Sequence, residues 1–200
     1  IFDFQYTSPV GLAMSSDGAK VALATVGYDY GNLVAGDIWI SSDSGVTWTK
    51  NTTTGSPKKW NSITCSADFT KLAAVARDGN IWTSSDSGAT WTENTSTGSG
   101  KDWRGIISSA DGTKLVAVVN GGNIWSSSDS GVTWTEDTSI GVKDWLGYIA
   151  GSDDLTKMTM SHFTPNGSNS YIWTGRTTGG VPTVTDVQNL TIKYTKSATA

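Results

Sequence analysis

The chain has 200 residues, 36% of them hydrophobic and 10 of them Trp, enough for one domain with a sizeable core. Gly is abundant at 23 residues and Glu occurs only at Glu93 and Glu136, which disfavours long helices and suits short strands joined by tight turns. A formal net charge of −4 without any basic run argues against nucleic acid and anionic membrane as partners, and no apolar run approaches the roughly 20 residues that span a bilayer.

Residues 1–6, Ile-Phe-Asp-Phe-Gln-Tyr, alternate as a strand does, and the start at Ile without Met or leader reads as a processed chain or a piece of a longer one. A first repeat unit follows over about 9–50, with Pro9 where later units carry Trp and an insertion centred on Gly27-Tyr28-Asp29-Tyr30-Gly31. The second unit, about 59–93, and the third, about 102–136, match nearly position for position. In the third, Trp103 opens strand A, Asp111 and Gly112 make a turn, and Lys114-Leu-Val-Ala-Val-Val119 is strand B. A second turn at 120–123 leads to strand C at Ile124-Trp125, and strand D follows from Thr133 to Glu136. The fourth unit, about 144–182, starts with Trp145-Leu-Gly-Tyr-Ile149, enlarges its B–C loop (Ser161-His-Phe-Thr-Pro-Asn-Gly167) and keeps Ile172-Trp173. A last alternating stretch over 183–195, like 1–6, is expected to supply a missing strand that closes a ring. Regular units with degenerate terminal ones mark a repeat architecture.

Within each of the first three units runs Ser-x-Asp-x-Gly-x-Thr-Trp, at Ser41–Trp48, Ser84–Trp91 and Ser127–Trp134, with Asp43, Asp86 and Asp129 spaced by 43 residues. It lies between two strands, so it is a hairpin tip. The carboxylate accepts hydrogen bonds from nearby backbone N–H groups, Gly takes a positive φ, and Trp folds back over the hairpin. Here the chain resembles the Asp-box family, also called bacterial neuraminidase repeats, found in β-propellers of sialidases, xyloglucanases, sortilin-type receptors and photosystem assembly factors. The resemblance implies an all-β β-propeller of four-stranded antiparallel blades, and the units counted above make about four of them, as a small closed ring, an arc completed by another copy, or a fragment of a larger ring. It also implies that Asp43, Gly45, Trp48, Asp86, Gly88, Trp91, Asp129, Gly131 and Trp134 are structural and lie outside any active site. The hairpins lack the dense carboxylate spacing of an oxygen-ligand cage, so no metal and no cofactor are expected.

In an up-and-down blade the A–B and C–D turns share one end of the sheet, and the B–C and D–A loops share the other. The Ser-x-Asp hairpins are C–D turns, which leaves the B–C and D–A end for binding. That end is expected to carry Trp60, Trp103 and Trp145 beside Lys59, Asp102 and Asp144, together with Arg77, Asp78, Asn80, Arg104, Asn120 and Asn123. It also carries the enlarged loops with Tyr28, Asp29, Tyr30, His162, Phe163 and Asn166. Aromatic rings beside Asp, Asn and Arg suit sugars, whose C–H faces stack on Trp while their hydroxyls take polar partners. The recurrence of the three Trp residues with the blade favours packing of one blade on the next over contact with a ligand.

Sialidases of the resembling family use an arginine triad, a Tyr–Glu nucleophile pair and an Asp acid. Arg77, Arg104 and Arg176 occur here without that Arg-Ile-Pro context, and Glu93 and Glu136 hold equivalent positions on strand D, where they read as scaffold. Asp29, Asp102 and Asp144 are acidic candidates of which no two stand out as a hydrolytic pair. His162 has no nucleophile to serve, and Cys65 lies in an apolar strand as a small core residue. Sequons at Asn51, Asn94, Asn166 and Asn189 are weak evidence for secretion. The sequence is therefore read as a non-enzymatic extracellular or cell-surface interaction module whose partner is another protein, a copy of itself or a glycan. The alternatives are a glycoside-hydrolase-like propeller, or a fragment of one, and an assembly factor.

Overall fold

The structure is a computed structural model that describes residues 7–30, 32–163, 170–176 and 190–191. The first blade comprises β1 (Thr7–Met14), β2 (Val21–Asp29), β3 (Asn32–Val34), β4 (Ile38–Ser41) and β5 (Thr49–Lys50). The second comprises β6 (Trp60–Cys65), β7 (Leu72–Gly79), β8 (Ile81–Ser84) and β9 (Thr92–Asn94). The third comprises β10 (Lys101–Ser108), β11 (Leu115–Gly122), β12 (Ile124–Ser127) and β13 (Thr135–Asp137). The fourth comprises β14 (Lys143–Gly151), β15 (Lys157–Phe163), β16 (Ser170–Arg176) and β17 (Leu190–Thr191).

Strands A to D of each blade pair antiparallel in chain order. The insertion of the first unit folds as the short strand β3 on the end of β2, pairing Asp29 with Asn32. The expected limits of the fourth blade need correction. Its outer strand is β17, which pairs Leu190 with Ile172, so part of the 183–195 stretch completes this blade. Residues 1–6 lie outside the described residues. The A strands β1, β6, β10 and β14 pack in series, and among the described elements β1 makes no substantial contact with β14, β15 or β16. The described blades thus form an open arc.

The middle strand of each inner blade is buried on both faces, with Leu72 to Ala76 and Leu115 to Val119 all inaccessible. That double burial is why strand B reads as a continuous apolar run without alternation. The two faces differ in kind. One carries the large residues Trp60, Leu72, Trp82 and Trp91 in the second blade, and Trp103, Leu115 and Trp125 in the third. The other carries small or β-branched residues: Ala22, Ala24 and Ile38 in the first blade, Ala73, Val75 and Ile81 in the second, Val116, Val118 and Ile124 in the third. Each seam lays the Trp face of one blade on the small face of the blade before it. On the Trp face the indoles of strands A and C meet edge to face, with ring centroids 6.2 Å apart for Trp60–Trp82 and Trp103–Trp125 and 6.0 Å for Trp145–Trp173.

Polar bonds close both ends of the seams. The A–B turns run blade to blade through Ser16 N to Ala67 O (2.8 Å), Ala67 N to Ala110 O (2.7 Å) and Ala110 N to Asp153 O (2.6 Å). Lys71 and Lys114 each donate to a carbonyl of the following turn, that of Asp111 at 3.2 Å and of Asp154 at 3.1 Å. Each A–B turn is itself a Ser-x-Asp device. In the third blade Ser109 Oγ donates to Asp111 at 2.6 Å, and Asp111 accepts the Thr113 N–H at 3.0 Å.

In the C–D hairpins Asp43 accepts the Thr47 N–H at 2.8 Å and the hydroxyls of Thr47 and Ser41 at 2.6 and 2.8 Å. The Trp48 indole N–H donates to Gly45 O at 3.0 Å. The second and third hairpins repeat this set. Two consecutive residues turn left-handed here: Ser44 at φ 58° is followed by Gly45 at φ 85°, where only Gly sits without strain. The hairpin tip donates Ser44 N to Ala19 O of the A–B turn at 2.9 Å, so both turn types lie at one end of the arc.

These bonds hold the carboxyls of Asp43, Asp68 and Asp111 at about 2. The leading causes are the Thr47, Ser66 and Ser109 hydroxyls respectively. A folded-state pKa below the unfolded value of about 3.9 contributes stability at pH above about 4, which is lost as pH falls toward 2. Thermal midpoints measured from pH 7 to 2 should show no loss from these groups above pH 5 and a steep fall between about 4 and 2. Trp103→Ala should cost about 3–5 kcal/mol in denaturant unfolding, whereas exposed Tyr30→Ala should stay within about 0.5 kcal/mol.

Candidate functional site

At the opposite end of the arc the B strands outrun their own C strands and pair with the next blade. Arg77 of β7 pairs with Asp102 of β10, and Asn120 of β11 with Asp144 of β14. An isolated bridge between Gly36 and Lys58 does the same work between the first and second blades. This pairing brings four polar side chains from two blades together. Asp102 receives Arg77 Nε on one oxygen at 3.2 Å and Arg104 on the other at 2.7 Å, where the Asn120 amide also donates at 3.1 Å.

The carboxylate fixes two guanidiniums side by side and leaves the group one positive charge in excess. The Arg77 side chain is 39% exposed and that of Arg104 26%, so both retain N–H donors for an incoming group. Such a pair suits a carboxylate or a row of carbonyl oxygens, which accept from the guanidinium fork. Among the described residues the other blades have no such cluster: Phe163 stands where Arg77 and Asn120 do, and Asn61 and Leu146 where Arg104 does.

The expectation that Trp60, Trp103 and Trp145 contact a ligand is corrected. They are 1%, 0% and 1% exposed and fill the seams. Their neighbours Lys58, Lys101 and Lys143 lie over the strand C indoles Trp82, Trp125 and Trp173 at 4.5, 5.2 and 5.9 Å, sealing each Trp pair from this end. His162 is likewise buried, edge-on to Trp145 at 5.6 Å and tilted against Trp173 at 5.7 Å, with Nδ1 2.8 Å from Phe163 O. It belongs to the fourth blade's core and not to a binding loop.

Tyr28, Asp29 and Tyr30 are exposed on the β2–β3 hairpin, with Tyr30 left-handed at φ 46°. Among the described residues they make no hydrogen bond or ion pair with the arginine cluster. Asp78 is exposed at the β7 turn, left-handed at φ 56°. Phe163 is exposed at the end of β15, and Asn166 lies outside the described residues. Glu93 and Glu136 accept hydrogen bonds from Asn80 and Asn123 at 2.9 and 3.0 Å, tying strand D to the B–C turn. The first blade uses the Lys50–Asp37 ion pair at the same place. Cys65 is half-buried, its thiol donating to Met14 O at 3.3 Å, and burial pushes its pKa up to about 11, far from a reactive thiolate. Among the described residues no group of three or more His, Cys, Asp or Glu is placed to hold a metal.

Two sequon asparagines have structural work that the sequence reading missed. The Asn51 amide donates across the seam to Gly88 O at 2.7 Å, and that of Asn94 to Gly131 O at 3.0 Å, so the nitrogen a glycan would take is occupied. Their spacing equals the repeat period, which is the signal that marks them as seam residues. Asp137 holds the third such position, and the fourth unit has no hairpin of this type to receive an amide.

No protein-family model and no curated protein matches the chain. Solved structures do. The GH74 enzyme of Niastella koreensis aligns with TM-score 0.56 and 20% identity, covering 87% of this chain and 29% of that one. YCF48 bound to D1 peptide aligns with TM-score 0.62 and 18% identity, over 87% of this chain and 55% of that one. Hydrazine synthase of Kuenenia stuttgartiensis aligns with TM-score 0.65 and 16% identity, over 92% of this chain and 49% of that one. The fold is that of a β-propeller. The chain spans between about a quarter and three fifths of the length of the first of these structures.

The site yields a stability test. Asp102→Ala leaves Arg77 and Arg104 without their shared counter-ion, and should lower unfolding free energy by about 1–2 kcal/mol in urea titration. Asp144→Ala, which removes no described ion pair, should change it by less than about 0.5 kcal/mol.

Proposed function

We propose that this chain is a non-enzymatic propeller unit of the Asp-box type that binds a protein segment at its B–C and D–A end, with Arg77 and Arg104 as the contact residues and Asp102 as the residue that positions them. The observation that carries the reading is the arginine pair on Asp102, a donor surface that among the described residues only the seam between the second and third blades presents. The Trp residues that favoured a glycan are committed to the seams, the exposed rings of Tyr28, Tyr30 and Phe163 make no described contact with the arginine cluster, and backbone carbonyls or an acidic side chain fit the guanidiniums better. YCF48, a fold neighbour, has been solved with a peptide, which supports protein recognition as a use of this architecture. Asp102, ion-paired with Arg77 through one oxygen and hydrogen-bonded by Arg104 and Asn120 on the other, has no second carboxylate among the described residues of its network to complete a hydrolytic pair.

The test is partner capture followed by affinity measurement with the chain and with Arg77→Gln/Arg104→Gln. The double variant should weaken binding of a captured protein or peptide at least tenfold with the circular dichroism signature unchanged. Undiminished binding, or turnover of chromogenic glycosides that Asp102→Asn abolishes, would overturn the reading.

A further inference from the structure

The arc has two ends of opposite character, and this holds whatever the arginine cluster binds. In the fourth blade the face turned away from the third carries Ala150, Thr159 and Ser161, where the third blade has Ile107, Val116 and Val118. Ala150 and Thr159 are exposed, as is Tyr148 beside them. Its strand B offers Thr and Ser where the inner blades offer Ala or Val, although Ile172 keeps the place of Ile124 at the start of strand C.

The first blade's outer face is of the other kind. It is the Trp face, with Leu12, Met14, Val21, Leu23 and Trp48 at the positions of Ile63, Cys65, Leu72, Ala74 and Trp91. Leu12 is 64% exposed and Met14 56%, while Ile63 and Ile106 at the Leu12 position are 5% and 2% exposed. Pro9 replaces the strand A Trp, and the place is a shallow recess of about 500 Å³ lined by Pro9, Val10, Gly11, Leu12 and Leu23.

We propose that this face of the first blade is a docking surface for a further propeller blade with a small-residue outer face. The three seams already present define the partner's chemistry, because each supplies the same complement to an equivalent Trp face. The partner brings Ala or Val at alternate positions of strand B and Ile at the start of strand C. An Asn after its strand D donates to Gly45 O and Val46 O, as Asn51 does to Gly88 O and Ala89 O at 2.7 and 3.3 Å. Its A–B turn donates a backbone N–H to Ser16 O, as Ser16 itself does to Ala67 O. The fourth blade of this chain or of a second copy keeps the Ile, as Ile172, but offers Thr159 and Ser161 in place of the Ala or Val pair, and so is the poorer complement.

A five-blade chain tests this directly. A copy of residues 58–94 fused ahead of Ile1 leaves 1–6 standing where 95–100 stand between β9 and β10, and offers Ala73, Val75, Ile81 and Asn94 to the first blade. A control fusion carries Ala73→Lys and Val75→Lys in the added copy alone. The first fusion should melt at least 5 °C above the 200-residue chain, and Leu12→Glu should remove that gain while lowering the melting point of the 200-residue chain far less. The control fusion should show no gain. A fusion that melts with the unmodified chain, or Leu12→Glu acting equally in both, would overturn the proposal. So would a dimer of the 200-residue chain in light scattering that Leu12→Glu dissociates, since a second copy would then hold the face.

Discussion

No blade in this structure can bury both faces of its own sheet, and the contact of one blade's Trp face with the next blade's small face solves that problem. The indoles of strands A and C stand edge to face over strand B, so strand B opposite them must be small or the rings would not seat. The neighbour's Ala and Val rows are the matching negative of that relief. Propeller stability is therefore held between blades more than within them, and a terminal blade is defined by which half of the seam it shows to solvent.

Polar groups set the register of these seams without adding much apolar area. Backbone bonds between successive A–B turns, lysines reaching the next turn, and the Asn51 and Asn94 amides all cross from one blade to the next at 2.6 to 3.2 Å. They lie at the end opposite the arginine cluster. One end of the arc is thus committed to hairpins and staples, and the other is free to vary, as at Arg77 and Arg104. There the seam is held by backbone pairing of strand ends, as between β7 and β10, so the side chains can differ from blade to blade without cost to the core.

Much of the fold was legible in the sequence because the unit repeats. The spacing of Asp43, Asp86 and Asp129 gave the unit length, and Gly45 with Trp48 gave the hairpin. What one unit cannot reveal is its relation to the next. Trp60, Trp103 and Trp145 recur beside polar loop residues in sequence, and only the seam distinguishes a packing indole from a stacking platform. His162 was misread in the same way, since a loop placement from sequence hid its position between Trp145 and Trp173. The fourth unit was limited to about 182 because the lost hairpin removed its marker, and its outer strand, β17, lies at Leu190 in the alternating stretch expected to supply a missing strand. The arginine cluster was half visible. Arg77 and Arg104 are the irregularities of otherwise matching units, but their meeting on Asp102 depends on pairing between β7 and β10.

The central claim is that cohesion resides in the seams, and amide hydrogen exchange resolved by strand tests it most directly. The account predicts the slowest exchange, near the global unfolding limit, in β7 and β11, whose faces are both covered. It predicts measurably faster exchange in β1 and in the Ser-x-Asp hairpins. Uniform protection across all four blades, or maximal protection in the hairpins with β7 and β11 exchanging early, would contradict it.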